Sequence, residues 1–402
     1  MFARTIAITE EFDLNSVCRG DGFLFVRDGV GYAGRGCLTT LNESEIRNTL
    51  SSIEAVGTFP RDVVAFSLIP FRPEDSAVFY IPRFLIAKHA DGTRTATLIG
   101  HTPDEVSEDL LQEAIQEATR STPPRPSSNS YRVSPRMPIG HYLDAVLATR
   151  DAVRSGALRK AVIARDIEVH AEDPIDVHGV LQRLRASFGS SYRFCIGNMI
   201  GASPELLIET SNRTVRSHPL AGTAPRTGDP ETDARLAAEL IASTKNQVEH
   251  RVVIDMVHDT LLPFCSYLDW EAEPSIVTVA NVQHLGTAIE GALTEPSPHI
   301  LDLVRLLCPT PALGGYPSRE AMQFIYETEG LDRGAYGGAV GYVNPHGDGI
   351  FAVTIRCAEL SPDRRSARLF AGGGIVSESD PYSELAETQA KFQAMLSAIV
   401  RP

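Results

Sequence analysis

Strand-like runs joined by short turns, and grouped away from the helices, predict an α+β fold built on antiparallel β-sheets. Two features carry this expectation. Runs such as "KAVIARDIEVHA" and "AVTIRCAEL" alternate apolar with polar residues, the period of a strand that turns one face inward. The helical patterns do not follow the strands one for one, as the crossovers of a doubly wound parallel sheet require.

From the N-terminus, "GFLFVRDGVGYAG", "DVVAFSLIPF" and "SAVFYIPRFLIAK" read as strands, and "TPDEVSEDLLQEAIQEATR" as a polar helix. "STPPRPSSNSYRVSPRMP" breaks the pattern, either as a linker between domains or as a surface crossing within one. A helix over "IGHYLDAVLATRDAVRSGAL", the strand "KAVIARDIEVHA" and a helix around "VHGVLQRLRASF" come next. "YRFCIGNM" and "ELLIETSN" read as strands flanking "IGASP", and the strand "RTVRSHPLAG" leads into one long helix through "DARLAAELIASTKNQVEHRVVIDMVHDTLLPF". The helices "ILDLVRLL" and "SREAMQFIYETEG" enclose "CPTPALGGYP", whose prolines and glycines make a shaped connection rather than a slack loop. Late strands "AVGYVN", "GIFAVTIRCAEL" and "SARLFAGGGIV" precede a terminal helix opened by Asp380 as N-cap and Pro381 as its first residue. Helical spacing there puts Leu385, Phe392, Leu396 and Ile399 on a core stripe, and Glu384, Glu387 and Lys391 on a neighbouring strip.

At 402 residues the chain can bury a substantial core. The opening "MFARTIAITEEFDLNS" has acidic residues where a signal peptide needs an apolar centre. No apolar run approaches the ~20 residues of a membrane span. The expectation is a cytoplasmic protein without a membrane partner. A formal charge of −14 argues against nucleic acid as a partner. The cysteines at 18, 37, 195, 265, 308 and 357 show neither CxxC pairing nor regular spacing, so they read as reduced core or loop thiols. An acidic chain that binds a small anion must supply local cations or a metal for it.

Several side chains could carry chemistry. Glu249 in "TKNQVEHRVV", with Val248, Val252 and Val253 as an apolar neighbourhood, and Glu387 on the terminal helix could together hold Mg²⁺, which takes hard oxygens and few protein ligands. The bland alternative is a pair of solvated glutamates, with Glu387 and Lys391 as an i to i+4 pair. "GAYGGAVGYV" and "FAGGGIV" suggest phosphate-binding loops, but the first runs into a strand and no GxxxxGK occurs, which disfavours nucleotide binding. "AGGG" after a strand could offer backbone N–H groups to a carboxylate, and Arg356 a bidentate fork, unless it is an exposed strand charge. Lys160 and Glu205 would form an acid and base pair if both reach one pocket. A lysine that works as base must be kept neutral by burial, with its pKa depressed to ~7 to 8.

In order along the chain, "KAVIARDI", "GASPELL", "HPLAGTAPR", "QVEH", "VQHL", "PTPALGGYP", "RGAYGGAVGYV", "TIRCAEL", "FAGGGIV" and "ELAETQAKF" resemble the chorismate-utilising enzymes, with "PTPALGGYP" most similar to isochorismate synthase. The resemblance implies stacked antiparallel β-sheets flanked by helices, with the active site in a deep cleft between them, and a single domain, 1–402, with a less specific N-terminal part, 1–125, and a catalytic core, 139–402. It implies Mg²⁺ on Glu249 and Glu387, with Glu384 as a water-mediated ligand, gripping the ring carboxylate of chorismate. Arg356 and the backbone of Gly372 would hold the enolpyruvyl carboxylate. Lys160 would activate a water to attack C2 while Glu205 protonates the departing C4 hydroxyl. Gly222, Thr223 and His284 would line the pocket near the ring, and Lys391 would lie near the substrate carboxylate. A monomer fits the family.

Relatives that expel pyruvate typically carry a threonine in a "TxSG" pattern where this chain has Ala312 and Leu313. The apolar wall they would form implies a reaction that stops at isochorismate, although Ala312 packing as a core residue fits the same sequence. Two other readings stand beside this one: a salicylate synthase, which adds pyruvate elimination, and a non-catalytic small-anion binding protein of the same fold. Siderophore and menaquinone biosynthesis are both compatible with the product.

Overall fold

A computed structural model describes residues 1–120, 129–279 and 282–401. Residues 121–128 of the Pro/Ser-rich stretch lie outside them. The rest of that stretch is no linker: Tyr131–Pro135 is a strand paired antiparallel to Lys160–Ala171.

The architecture is the α+β arrangement of antiparallel sheets that the alternation predicts. One run of strands begins at Lys160–Ala171 and passes through Ser366–Ile375, Cys357–Leu360, Met199–Ser203, Tyr192–Ile196 and Phe23–Arg27 to Val30–Leu41. A second begins at Ala65–Ile69 and passes through Ala339–Val343, Gly349–Val353 and Leu206–Ser211 to Thr214–His218. The long strand Val78–Lys88 joins them. One edge pairs with Val30–Leu41; the other pairs with Ala65–Ile69 near its start and with Arg94–Gly100 near its end. The two runs face each other across an aromatic core, with Tyr342 meeting Tyr32 and Phe25 edge-on at 4.8 and 5.7 Å between ring centroids. A separate three-stranded sheet is built from Leu220–Pro225, Val282–Gly286 and Ser275–Val279.

N-terminal strands are therefore woven into the same ladders as C-terminal ones: Phe23–Arg27 pairs with Tyr192–Ile196, and Ala65–Ile69 with Ala339–Val343.

Several elements differ from the sequence expectation. The long middle helix is two, Pro230–Ala242 and Thr244–Leu261. Ser243 sits between them in extended backbone and its side chain accepts from the Asn246 N–H, a cap that starts the second helix afresh. Val248 is exposed, so the apolar surroundings of Glu249 come only from one side. "IGASP" contributes a strand, Met199–Ser203, and "RTVRSHPLAG" splits around Pro219 into strands of two different sheets. "AGGG" lies within the strand Ser366–Ile375, not after it. On the terminal helix, Pro381–Val400, Asp380 caps as expected by accepting from the Ser383 N–H. The buried stripe, however, runs through Glu384, Thr388, Phe392, Met395 and Ile399, while Leu385 and Leu396 are only half-buried. The helix packs on the glycine strand, which has no side chains at 372–374 to hold it off, and so presents polar groups inward there.

Candidate active site

The glycine strand and the strand Lys160–Ala171 run antiparallel, with Gly374 opposite Val162 and Ile375 opposite Ala161. This places Lys160 at the strand start, beneath the terminal helix on one side and the helix Thr244–Leu261 on the other. A cavity of about 210 Å³ opens there, and every site residue predicted from sequence lines it: Lys160, Glu205, Gly222, Thr223, Glu249, His284, Ala312, Leu313, Arg356, Gly372, Glu384, Glu387 and Lys391.

One wall is anionic. Lys160 is buried and its Nζ lies 2.7 Å from Glu249 Oε1. The expectation had burial keep this lysine neutral; the structure buries it and also gives it a carboxylate neighbour. Glu387 Oε1 lies 2.6 Å from Lys391 Nζ, which also donates to the Gly372 carbonyl at 2.7 Å. Gly372 thus offers a carbonyl to the lysine. Glu384 is buried and accepts from Ser379 Oγ at 2.7 Å. A Cβ on Gly373 would come within 2.6 Å of Glu384 Oε2, and one on Gly374 within 2.6 Å of both Glu249 Oε1 and Lys160 Cε. The bare backbone is what lets these carboxylates approach. Among the described residues no three His, Cys, Asp or Glu side chains are gathered closely enough to form a preformed ion site.

The opposite wall is cationic. Arg356 does not sit in a strand as its alternation suggests. It occupies a left-handed bend, φ 50°, between Gly349–Val353 and Cys357–Leu360, a conformation a non-glycine residue adopts only when its surroundings enforce it. The Ala202 N–H donates to its carbonyl at 3.1 Å, anchoring the bend to the neighbouring strand. Its side chain is buried, which pulls its pKa down, and its Nε has no hydrogen-bond partner among the described residues. One Nη donates to His284 Nε2 at 3.2 Å, while His284 Nδ1 lies 3.1 Å from the Gly222 carbonyl. A carbonyl only accepts, so the proton sits on Nδ1 and Nε2 is the acceptor. Burial first, then Arg356 and Lys391, push the imidazole pKa down to about 3, so it stays neutral and can receive the guanidinium. Gly222 has φ 76° at a bulge in the three-stranded sheet, which brings Thr223 opposite His284.

Glu205 comes just after the strand Met199–Ser203 and is buried. Burial raises its pKa to about 7 against the opposing pull of the Leu220 N–H, Lys160 and Arg356. A carboxyl in that range can give up a proton near neutrality. Ala312 and Leu313 close the cavity with apolar surface. Their loop is pinned to the strand Lys160–Ala171, with Gly315 opposite Ala161 and the Val162 N–H donating to the Gly314 carbonyl at 2.8 Å. Thr310, the loop's threonine, is buried and does not belong to the lining.

Sequence reasoning missed Asn246, Gly374, Tyr336 and Phe370 in this lining. Asn246 lies one helical turn before Glu249, a spacing that places both on one face. Gly374 ends the same glycine run as Gly372. Tyr336 and Phe370 stack at 5.0 Å from elements far apart in the chain, and no local signal joins them.

The family model described as "Chorismate binding enzyme" matches residues 44–400. "Isochorismate synthase DhbC" of Bacillus subtilis is 38% identical over 68% of this chain and 71% of its own. "Vibriobactin-specific isochorismate synthase" of Vibrio cholerae is 33% identical over 83% of this chain and 78% of its own. Among solved structures, MenF, the menaquinone-specific isochorismate synthase of Escherichia coli, superposes with a TM-score of 0.83 at 25% identity, covering 99% of this chain and 94% of that one.

Proposed function

Because the chain belongs to the chorismate-binding enzyme family, we propose that it isomerises chorismate to isochorismate. The observation that carries this reading is a buried Glu205 with its pKa near 7, sharing one cavity with Lys160. Lys160 takes a proton from the water that adds at C2, and Glu205 gives one to the hydroxyl leaving C4. The ring double bonds shift between the two carbons, and one water enters as one departs. A dianionic substrate fits the two-sided charge of the cavity: the Arg356 guanidinium, held by neutral His284, takes the enolpyruvyl carboxylate through donors that include its Nε, which has no partner among the described residues.

Magnesium fits the other end. The donors are hard carboxylate oxygens, and Glu249 and Glu387, each with a lysine nitrogen within 2.7 Å, line the same cavity. Glu249 and Glu387 would hold the ion, with Glu384 behind them. The ion would neutralise the ring carboxylate and fix its orientation. Ala312 and Leu313 give the ring an apolar neighbour with no hydroxyl, which supports a reaction that stops before pyruvate is lost.

Chorismate with MgCl₂, with and without EDTA, is expected to give isochorismate only when metal is present, without pyruvate, as read by chromatography of the products. Salicylate with equimolar pyruvate would move the reaction to the lyase branch. Bound but unconverted chorismate would make the chain a binding protein.

Gly374→Ala adds a methyl at 2.6 Å from both Glu249 Oε1 and Lys160 Cε, so both side chains or the strand must move. Turnover should fall at least about tenfold, since small misplacements at a reacting centre cost that much or more. Unchanged kcat/KM in a folded variant would show that the close approach of this strand is not needed.

A further inference from the structure

A second cavity, of about 580 Å³, lies between the segment Glu11–Asn15, the turn at Asp28 and Gly29, and Arg193; it shares no lining residue with the first. Arg193 is 3% exposed on the strand Tyr192–Ile196. One of its Nη groups donates to Asn15 Oδ1 at 2.9 Å, and its Nε has no partner among the described residues. A buried guanidinium without a counter-charge is costly, because no solvent replaces the lost hydration.

The carboxylates around the cavity supply that counter-charge only in part: Asp13 and Asp28 act on Arg193 through space, but its one side-chain hydrogen bond among the described residues goes to Asn15. Asp13 is 2.7 Å from Arg185 and accepts from the Asn15 backbone and side chain. Glu11 pairs with Arg94, and Asp28 lies 3.5 Å from Arg27. Each acid thus has its own arginine. Lys88, whose ammonium donates to the Phe12 carbonyl and lies 4.7 Å from the Phe12 ring centroid, lines the same cavity and also lacks a carboxylate partner among the described residues. Two cations, one of them almost wholly buried, therefore converge on a cavity large enough for a small molecule.

We propose that this cavity binds a small oxyanion-bearing molecule through Arg193 and Lys88, at a site separate from the active site. The planar guanidinium offers paired N–H donors matched to the oxygens of a carboxylate or a phosphate, and the ammonium adds a point charge. The shared chemistry is the oxyanion; titrations with inorganic phosphate and with acetate distinguish the two groups.

Isothermal titration of each anion, at ionic strength held constant with KCl, is the test. It uses the full chain, Arg193→Gln, Lys88→Gln and, to remove active-site binding, Arg356→Gln. At least one anion should bind the parent and Arg356→Gln alike, and weaken about tenfold or more in Arg193→Gln, since hydrogen bonds to charged groups are among the strong ones. Lys88→Gln, at the half-buried rim, should weaken binding several-fold and serves if Arg193→Gln does not fold. The proposal is overturned if neither anion binds the parent at millimolar concentration. It is equally overturned if affinity survives both substitutions at this cavity, or if binding disappears only in Arg356→Gln.

Discussion

Replacing Glu205 with glutamine should cut turnover by roughly 10²- to 10⁴-fold while leaving the chain folded, the scale of losing a positioned general acid. The amide keeps the shape of the side chain and can still accept from the Leu220 N–H at 3.4 Å, but it has no proton to give. The substitution should also alter pH behaviour in two ways. In the parent, kcat/KM should fall on the alkaline side with an apparent pKa near 7, as the acid ionises. Stability should move too. The folded pKa of about 7 lies above the ordinary 4.5, so between these values the unfolded chain binds fewer protons than the folded one. Glu205 therefore favours the fold fully below pH 4.5, and that contribution is lost as pH rises through 7. The loss amounts to about 3 kcal/mol at most. Glu205→Gln should lack this slope. Denaturant midpoints across that range, with steady-state rates, check both; a variant that keeps parental turnover would remove Glu205 from the chemistry.

Arg333→Met is the substitution with the largest expected cost to the fold. Arg333 and Glu329 are 2% and 1% exposed and lie 2.5 Å apart. Arg333 also donates to the carbonyls of Leu313 and Val162, each at 2.8 Å, and its guanidinium stands 4.1 Å from the Phe71 ring centroid. Glu329 accepts from the Ala164 N–H at 2.7 Å. The pair thus ties the apolar loop to the strand of Lys160. Removing one partner leaves the other charge buried, which costs roughly 3–5 kcal/mol. The double variant Glu329→Leu with Arg333→Met should recover part of that stability without restoring the loop. Thermal melts of the three chains, with turnover, separate the two effects. A single variant as stable as the parent would show that the pair does not hold the fold.

Glu205 and the Arg333 pair differ in how far the sequence reveals them. Glu205 and Lys160 stand beside glycine, proline and strand signals strong enough to place them at strand ends, and the cavity collects them as expected. Glu329 and Arg333 are four residues apart, the ordinary signature of an exposed helical pair, and nothing local says that both are sealed beneath a loop. Arg356 alternates like a strand residue because its neighbours do; the left-handed bend that redirects it depends on the Ala202 N–H from another strand. The break at Ser243 is hidden for a different reason. Apolar spacing continues across it, and a serine is common enough that its capping role emerges only with the Asn246 N–H in place.

The strand Val78–Lys88 has a consequence for how the molecule comes apart. One of its edges is laddered along its length to Val30–Leu41, the last strand of one run, while the start of its other edge is laddered to Ala65–Ile69, the first strand of the second. Pulling either run away must break bonds that also hold its counterpart. The two therefore share their fate on unfolding, and deuterium should reach their innermost amides through one collective event, not leaf by leaf.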